Sequence, residues 1–288
     1  AYKCLTSPTD YPINEGSFRA LRVKLARGTV VSAVKPAAMR AWMSFPMTVV
    51  DTVFKAMEQA IPERTIAAHH ADLVVGIFNG ISPRDGRFYL GDLAPTGGGW
   101  GAKMNEDGMS AVVCLNDGDT HNSPCEQVEA KFPILFERHA LRENSGGAGR
   151  YRGGLGSEKV LLARAPMNIS VRLERVHCRP WGLSGGMAGM GNEVALRLDG
   201  REIGDLPNGK GFLRHLKTGD AFTLRAGGGG GWGPPREREP ERVAHDVRQG
   251  YVGRDAARAV YGVAIDDEGC VDAEATGRLR SNPAAAQA

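Results

Sequence analysis

The sequence predicts an α+β fold: a mixed-sheet portion with a few helices, then a β-rich, sandwich- or barrel-like portion, then short C-terminal helices. Three observations predict it. A helical stripe stands in the first quarter, and period-2 alternation dominates the second half. Glycine, 39 of 288 residues, gathers into nodes at 97–101, 145–156, 182–191 and 227–233. Average usage is about 7%, so the excess marks tight corners or close backbone approach between patterned segments.

In chain order, Leu21, Val23 and Leu25 alternate with Arg22, Lys24 and Ala26, the period of a half-buried strand, and after Gly28 the run 29–34 offers a β-branched partner. Ser44 is placed to cap a helix beginning at Pro46. Met47, Val50, Phe54, Met57 and Ile61 recur at helical spacing and carry it to about Ala60, before Pro62 stops it. Residues 72–78 and 87–93 read as strands joined by the turn Ser82-Pro83-Arg84-Asp85-Gly86, and 110–115 as another. Ser123-Pro124-Cys125-Glu126 is a capping box with proline at the first helical position, giving a short helix to about Lys131. Pro133 ends it, and 134–139 enters the second glycine node as a strand.

Beyond Gly156 the period is close to two. Val160 and Leu162, then Met167, Ile169, Val171 and Leu173, then Val194, Leu196 and Leu198, then Phe222 and Leu224 mark the inward positions of short strands. Residues 240–250 and 254–262 read as helices closed by glycine, and 264–288 as an extended tail. The implied divisions are 1–144, 145–238, 239–263 and 264–288.

Composition excludes several function classes. The net charge of +3 is evenly spread, with no basic run interleaved with aromatics, so no nucleic-acid footprint is present. No apolar run approaches the roughly 20 residues that span a bilayer. Cys4, Cys114, Cys125, Cys178 and Cys270 form no C-x-x-C pair. That argues against a zinc ribbon or disulfide framework and for reduced thiols in the cytoplasm. Ala1 is preceded by no methionine and followed by no signal peptide, so it reads as a processed or fragmentary end.

Neither Gly97–Gly101 nor Gly227–Gly231 leads through Gly-Lys-Ser/Thr into a helix, so neither is an ATP phosphate loop. No G-x-S-x-G elbow is present to anchor a serine triad. His69-His70-Ala71-Asp72 is the metal-like cluster. On an extended segment His70 and Asp72 share a face, but no third ligand is evident, which favours a structural or substrate-contacting role. Asn116 to Asn122, N-D-G-D-T-H-N, precedes a helix start, where unpaired N–H groups and the macrodipole attract anions. Asp119, His121 and Asn122 there can orient a substrate or relay a proton; the alternative is a polar turn that only caps the backbone. In S-G-G-A-G-R-Y-R-G-G-L-G, residues 145–156, Arg150 and Arg152 either meet a partner or substrate carboxylate or fasten the glycine turns, and the fastening role is favoured.

Taken in order, these nodes resemble the second half of a hydantoinase B/oxoprolinase family chain. The residues that carry the resemblance are P-I-N-E-G-S-F-R at 12–19, G-G-G-W-G-A at 97–102 and Asn122-Ser123-Pro124 with Glu126 and Glu129. They continue with 145–156, Pro180-Trp181-Gly182 and 227–233, and span roughly residues 1–263. The resemblance implies one of two enzyme types. One is an ATP-dependent hydrolase that opens cyclic amides such as hydantoins, 5-oxoproline or lactams. The other is a biotin-independent, ATP-dependent carboxylase of ketones such as acetone or acetophenone. It also implies a hydantoinase A-like partner holding ATP and magnesium, and a further chain supplying the N-terminal half of the B-type subunit. The family's divalent-metal motif lies in that half, so His69–Asp72 does not inherit it and no cofactor is expected in this chain. On the resemblance, Glu15, His121 and Asn122 face a small-molecule substrate, with Asp119, Arg150 and Arg152 at the substrate or an interface. The first reading is a hydrolase subunit; a carboxylase subunit and a non-catalytic scaffold are the alternatives.

Overall fold

Helix α1 (Pro46–Met57) turns Met47 and Phe54 into the protein, as the stripe requires, and ends at Met57, a little short of the expected Ala60. It is seen in a computed structural model that describes residues 15–19, 21–38, 46–113, 120–204 and 206–281. The expected cap Ser44 therefore lies outside the described residues.

The first hairpin forms, with its first strand starting and ending three residues later than the expected 72–78. Strands β1 (Val75–Ile81) and β2 (Phe88–Asp92) pair antiparallel with Ile81 opposite Phe88, and Gly86 takes the turn's positive φ of 69°. Helix α2 (Cys125–Lys131) follows, but Pro124 occupies its cap position and no side chain caps it, so the Ser123 capping box is not made. Strands β3 (Ile134–Leu141) and β4 (Ser157–Ala163) come next, then β5 (Met167–Arg172), β6 (Glu193–Leu198) and β7 (Arg201–Ile203). Strands β8 (Lys210–Leu216) and β9 (Ala221–Arg225) complete the set.

They build two antiparallel sheets, of order β2-β1-β5-β8 and β3-β4-β9-β6-β7, each drawing strands from both sides of residue 145. Phe78, Ile169, Val171 and Leu216 of the first meet Ile134, Leu161, Val194, Leu196, Phe222 and Leu224 of the second in one core. The fold is thus α+β around an open sandwich. It is not a closed barrel, and the expected mixed sheet is antiparallel.

Strand β4 buries the parity opposite to the expected one. Val160 and Leu162 are half-buried, whereas Ser157, Lys159, Leu161 and Ala163 are buried. The register explains it: Leu161 lies opposite Phe222 and Lys159 opposite Leu224, and residues opposite one another share a face. With apolar side chains at 160, 161 and 162, alternation alone did not choose a face.

The glycine nodes are mostly not tight corners. The exception is in the third, where Ser184 and Gly185, at φ of 51° and 91°, make a turn closed by Gly186 N–H donating to Leu183 O at 2.8 Å; of the other node glycines, Gly233 alone has positive φ. Extended runs at 66–70, 97–102, 108–112, 145–156, 180–191 and 226–233 lie side by side instead, bonded backbone to backbone. Gly229 N–H donates to Gly154 O at 2.9 Å, Gly230 N–H to Ala68 O at 2.8 Å, Gly231 N–H to Met187 O at 2.9 Å and Gly99 N–H to Gly227 O at 2.9 Å. The run 227–231 is central. A Cβ at 228 or 231 would strike the carbonyl of Ser145 or Ala148; at 227 or 230, that of Met190 or Trp181; at 229, that of Trp100. Neighbours repeat every third residue, which is the period of a polyproline-II chain and of neither a strand nor an α-helix. Glycine is required here because backbones fill the space a side chain would need.

Three further expectations change. Residues 21–34 form no strand; Thr29 and Ser32 make an isolated bridge across the turn at Val30-Val31, just after Gly28, and Val23 and Val30 are exposed. In 110–113 one residue, Val112, bridges Gly98, and 114–115 lie outside the described residues. The extended tail is instead partly helical. Helices α3 (Pro240–Arg248) and α4 (Arg254–Ala259) form as expected, and α5 (Ala273–Ser281) follows with Thr276 and Leu279 buried. Among the described residues no helix is long and apolar enough to cross a membrane.

Candidate functional site

Beneath the segment that leads into α2, side chains from three elements converge. Lys159, buried by the register of β4, donates from Nζ to Asn122 Oδ1 at 3.1 Å. His139 lies opposite Lys159 on β3, and its Nδ1 is 3.4 Å from Cys125 Sγ at the start of α2. Glu129 Oε1 accepts from Phe136 N–H at 2.7 Å and pins the helix to the strand. Burial lowers the Lys159 ammonium to about 8, with Cys125 opposing the shift. Burial raises the Cys125 thiol, helped by Glu126, and burial with the Lys159 charge lowers His139. The thiol and imidazole are therefore both favoured neutral, beside one cation of weakened basicity.

The depressed Lys159 value gives a sign to pH dependence. An unfolded lysine titrates near 10.5 and the folded one near 8, so between these values the unfolded chain binds more protons. Stability contributed by Lys159 then rises with pH across that window and is flat below it. In denaturant titrations from pH 7 to 11, the rise of wild type relative to Lys159→Met is the expected result; parallel curves reject it.

Of the other expected residues, His121 is exposed directly before Asn122, and Glu15 is exposed on a single helical turn, Glu15–Phe18. Asp119 lies outside the described residues. Of the motif at 116–122, only Thr120, His121 and Asn122 are described, and Asn122 is bonded into this cluster. Its partners Cys125, His139 and Lys159 were missed, although a lysine between inward positions of β4 was a signal.

The His69–Asp72 segment enters a buried knot. Asp51 of α1 accepts from His69 N–H at 3.1 Å, lies 2.8 Å from His69 Nδ1 and pairs with Arg175, whose guanidinium stacks 4.7 Å from the Trp181 ring. Desolvation, then the adjacent His69, pushes His70 down to about 3. Desolvation raises Asp72 to about 6 despite the Glu174 N–H it accepts at 2.8 Å. Both His70 nitrogens and Asp72 Oδ1 lack hydrogen-bond partners. Yet among the described residues no three His, Cys, Asp or Glu side chains converge on a metal position. The donors present do not fit a metal ion, and His69 is committed to Asp51.

The two arginines of the second node part company. Arg150 is exposed, 5.8 Å over the Tyr151 ring. Arg152 is buried, donates to Gly153 O at 2.7 Å and reaches Asp246 of α3 at 3.4 Å. Beside it Arg238, fully buried, makes a two-pronged bond to Asp107 at 2.7 and 2.8 Å and a third to Asp246 at 2.8 Å. Burial opposes both charges, but this pairing outweighs it, holding Asp107 below the usual carboxylate range and Arg238 above its own. The clamp ties the glycine bundle to the C-terminal helices.

Comparison with known proteins places this geometry. The profile of the hydantoinase B/oxoprolinase family matches residues 1–235. A chain of Pseudomonas sp. strain NS671, named provisionally as the B subunit of a D-/L-hydantoinase, is 32% identical over 94% of this chain and 45% of its own. The crystal structure of an ATP-dependent caprolactamase from Pseudomonas jessenii superposes with a TM-score of 0.84 at 30% identity, over 98% of this chain and 50% of that one. An acetone carboxylase structure shares the fold, with a TM-score of 0.71 at 21% identity over 83% of this chain and 37% of that one. The chain spans 45–48% of the length of the bacterial and archaeal relatives it matches and 17–18% of the 5-oxoprolinases. Residues, fold and profile agree: the chain belongs to the hydantoinase B/oxoprolinase family.

Proposed function

We propose that this chain is half of a B-type subunit of an ATP-dependent cyclic-amide hydrolase, opening a hydantoin, 5-oxoproline or lactam ring. A hydantoinase A-like partner binds ATP and magnesium. The observation that carries the reading is the likeness to the caprolactamase, at 30% identity over 98% of this chain. An amide is a poor electrophile, and phosphorylating its oxygen on the partner activates the carbonyl carbon: water adds there, the ring C–N bond breaks as the nitrogen takes a proton, and the acyl phosphate left behind is hydrolysed to carboxylate and phosphate. Under this reading His121, Asn122 and Glu15 face the activated ring, and Asp119 borders it. Lys159 is a positioning residue that holds the Asn122 amide, supporting the reading through a buried cation placed under the loop.

The test supplies the assembled complex with a hydantoin, 5-oxoproline, caprolactam, or acetone with bicarbonate, and follows ATP consumption with product. Ring opening coupled to ATP is expected. ATP consumed only with ketone and bicarbonate replaces this reading with the carboxylase one. His121→Ala is expected to lower kcat by about 100-fold or more, the span of a lost general acid or base. Unchanged turnover in both His121→Ala and Glu15→Ala leaves the chain a scaffold.

A further inference from the structure

The four-stranded sheet carries apolar side chains on both faces, although its outer face also bears the polar row Asn168, Ser170 and Arg172 of β5. Its inner face fills the core, while its outer face exposes Phe88 at 67%, Phe212 at 66%, Leu90 at 62% and Ile81 at 57%. Ile81, Phe88 and Leu90 form a patch by register, with Ile81 opposite Phe88 and Asn79 opposite Leu90, while Phe212 stands on β8 across the outward Ser170 of β5, whose Oγ accepts from Leu213 N–H at 3.0 Å. A groove of about 310 Å³ on the same sheet is lined by Val75, Ile77, Ser170, Arg172, Lys210 and Phe212. Antiparallel sheets with one wet face alternate apolar inside and polar outside, and contiguous exposed apolar faces mark interaction surfaces.

We infer that the outer face of the β2-β1-β5-β8 sheet is the seat of the other half of a B-type subunit, the part of the relatives that these residues do not match. The caprolactamase superposes on 98% of this chain yet extends to twice the aligned length, so relatives carry a second half beside this fold. Both sheets here already share a filled core, which leaves that half an outer surface to cover. Halves joined in one polypeptide are permanent partners, and permanent interfaces are the apolar ones, whereas exchangeable partners meet on ordinary mixed surface. Within the run 21–34, residues 21–25 point the same way, with a strand's alternation and no pairing strand among the described residues.

The inference rests on family membership and not on the reaction, so its test needs no turnover. The tagged chain is purified in its native assembly and compared with the isolated chain by hydroxyl-radical labelling and by amine cross-linking from Lys210. Protection of Phe88, Leu90 and Phe212 in the assembly is expected, with cross-links from Lys210 to sequence matching the relatives' other half. Equal labelling in both states overturns the inference. So do cross-links only to a second copy of this chain or only to the ATP-binding subunit. The variant Phe88→Ser/Leu90→Thr/Phe212→Ser is expected to keep the isolated chain's unfolding temperature while weakening retention of that half by about tenfold or more. Undiminished retention overturns the inference as well.

Discussion

Gly229→Ala is expected to abolish cooperative folding. The added methyl would overlap the Trp100 carbonyl group and the Gly101 nitrogen, all backbone, in the run at the centre of the bundle. Ordinary over-packing costs about 1–3 kcal/mol because side chains shift rotamer, and no rotamer exists here to shift. Relief requires moving residues 97–102, which are bonded in turn to Ala67, His70, Gly154 and Gly230. The expected loss therefore exceeds the over-packing range and takes a large share of the roughly 5–15 kcal/mol that holds a typical domain together. Gly277→Ala is the control. It lies within helix α5 with open space around it, so alanine there is expected to stabilise by about 0.5–1 kcal/mol. Soluble yield and thermal unfolding of the pair decide the matter; equal behaviour rejects the bundle's close packing as the reason for its glycines.

Arg238→Ala is expected to destabilise by about 3–5 kcal/mol, the cost of breaking a buried ion pair from one side. The buried Asp246 would keep only Arg152, at the longer 3.4 Å, and Asp107 would keep Arg242 near the surface. The Arg150 carbonyl, which accepts from Arg238 at 3.2 Å, would lose that donor. A drop of the unfolding temperature on the order of 10 °C follows for a chain of this size. Arg238→Lys keeps the charge without the fork that engages both oxygens of Asp107, and is expected to recover only part of the loss. A melting temperature unchanged in Arg238→Ala excludes the clamp as the fastening between the bundle and α3.

The elements legible in the sequence were those whose cause is local. The stripe from Met47 to Met57, the hairpin turn ending in Gly86 and the glycine-closed terminal helices each carry their own signal. Strand β4 was half legible: its existence followed from period two, but its face was set by Phe222 and Leu224, some 60 residues away in sequence. The bundle hid because a polyproline-II run made of glycine has no hydrophobic period to read. Residues 21–25 mislead in the opposite sense, with a true strand pattern and no strand partner in the described structure. At the candidate site Asn122 and His121 were visible as a polar loop before a helix. Cys125, His139 and Lys159 come from a helix start and two strands, and only the register brings them under that loop.

The position of residues 226–233 has a consequence for synthesis. This run comes last among the bundle's runs in chain order but is central in space, and its neighbours at 68, 99, 147, 154 and 187 all precede it. A ribosome-bound chain therefore carries the surrounding runs, with their unpaired backbone groups, before their common axis emerges. Every one of those pairings closes a long loop, and such topologies fold slowly and expose intermediates. The protein is built like an arch whose keystone is delivered last.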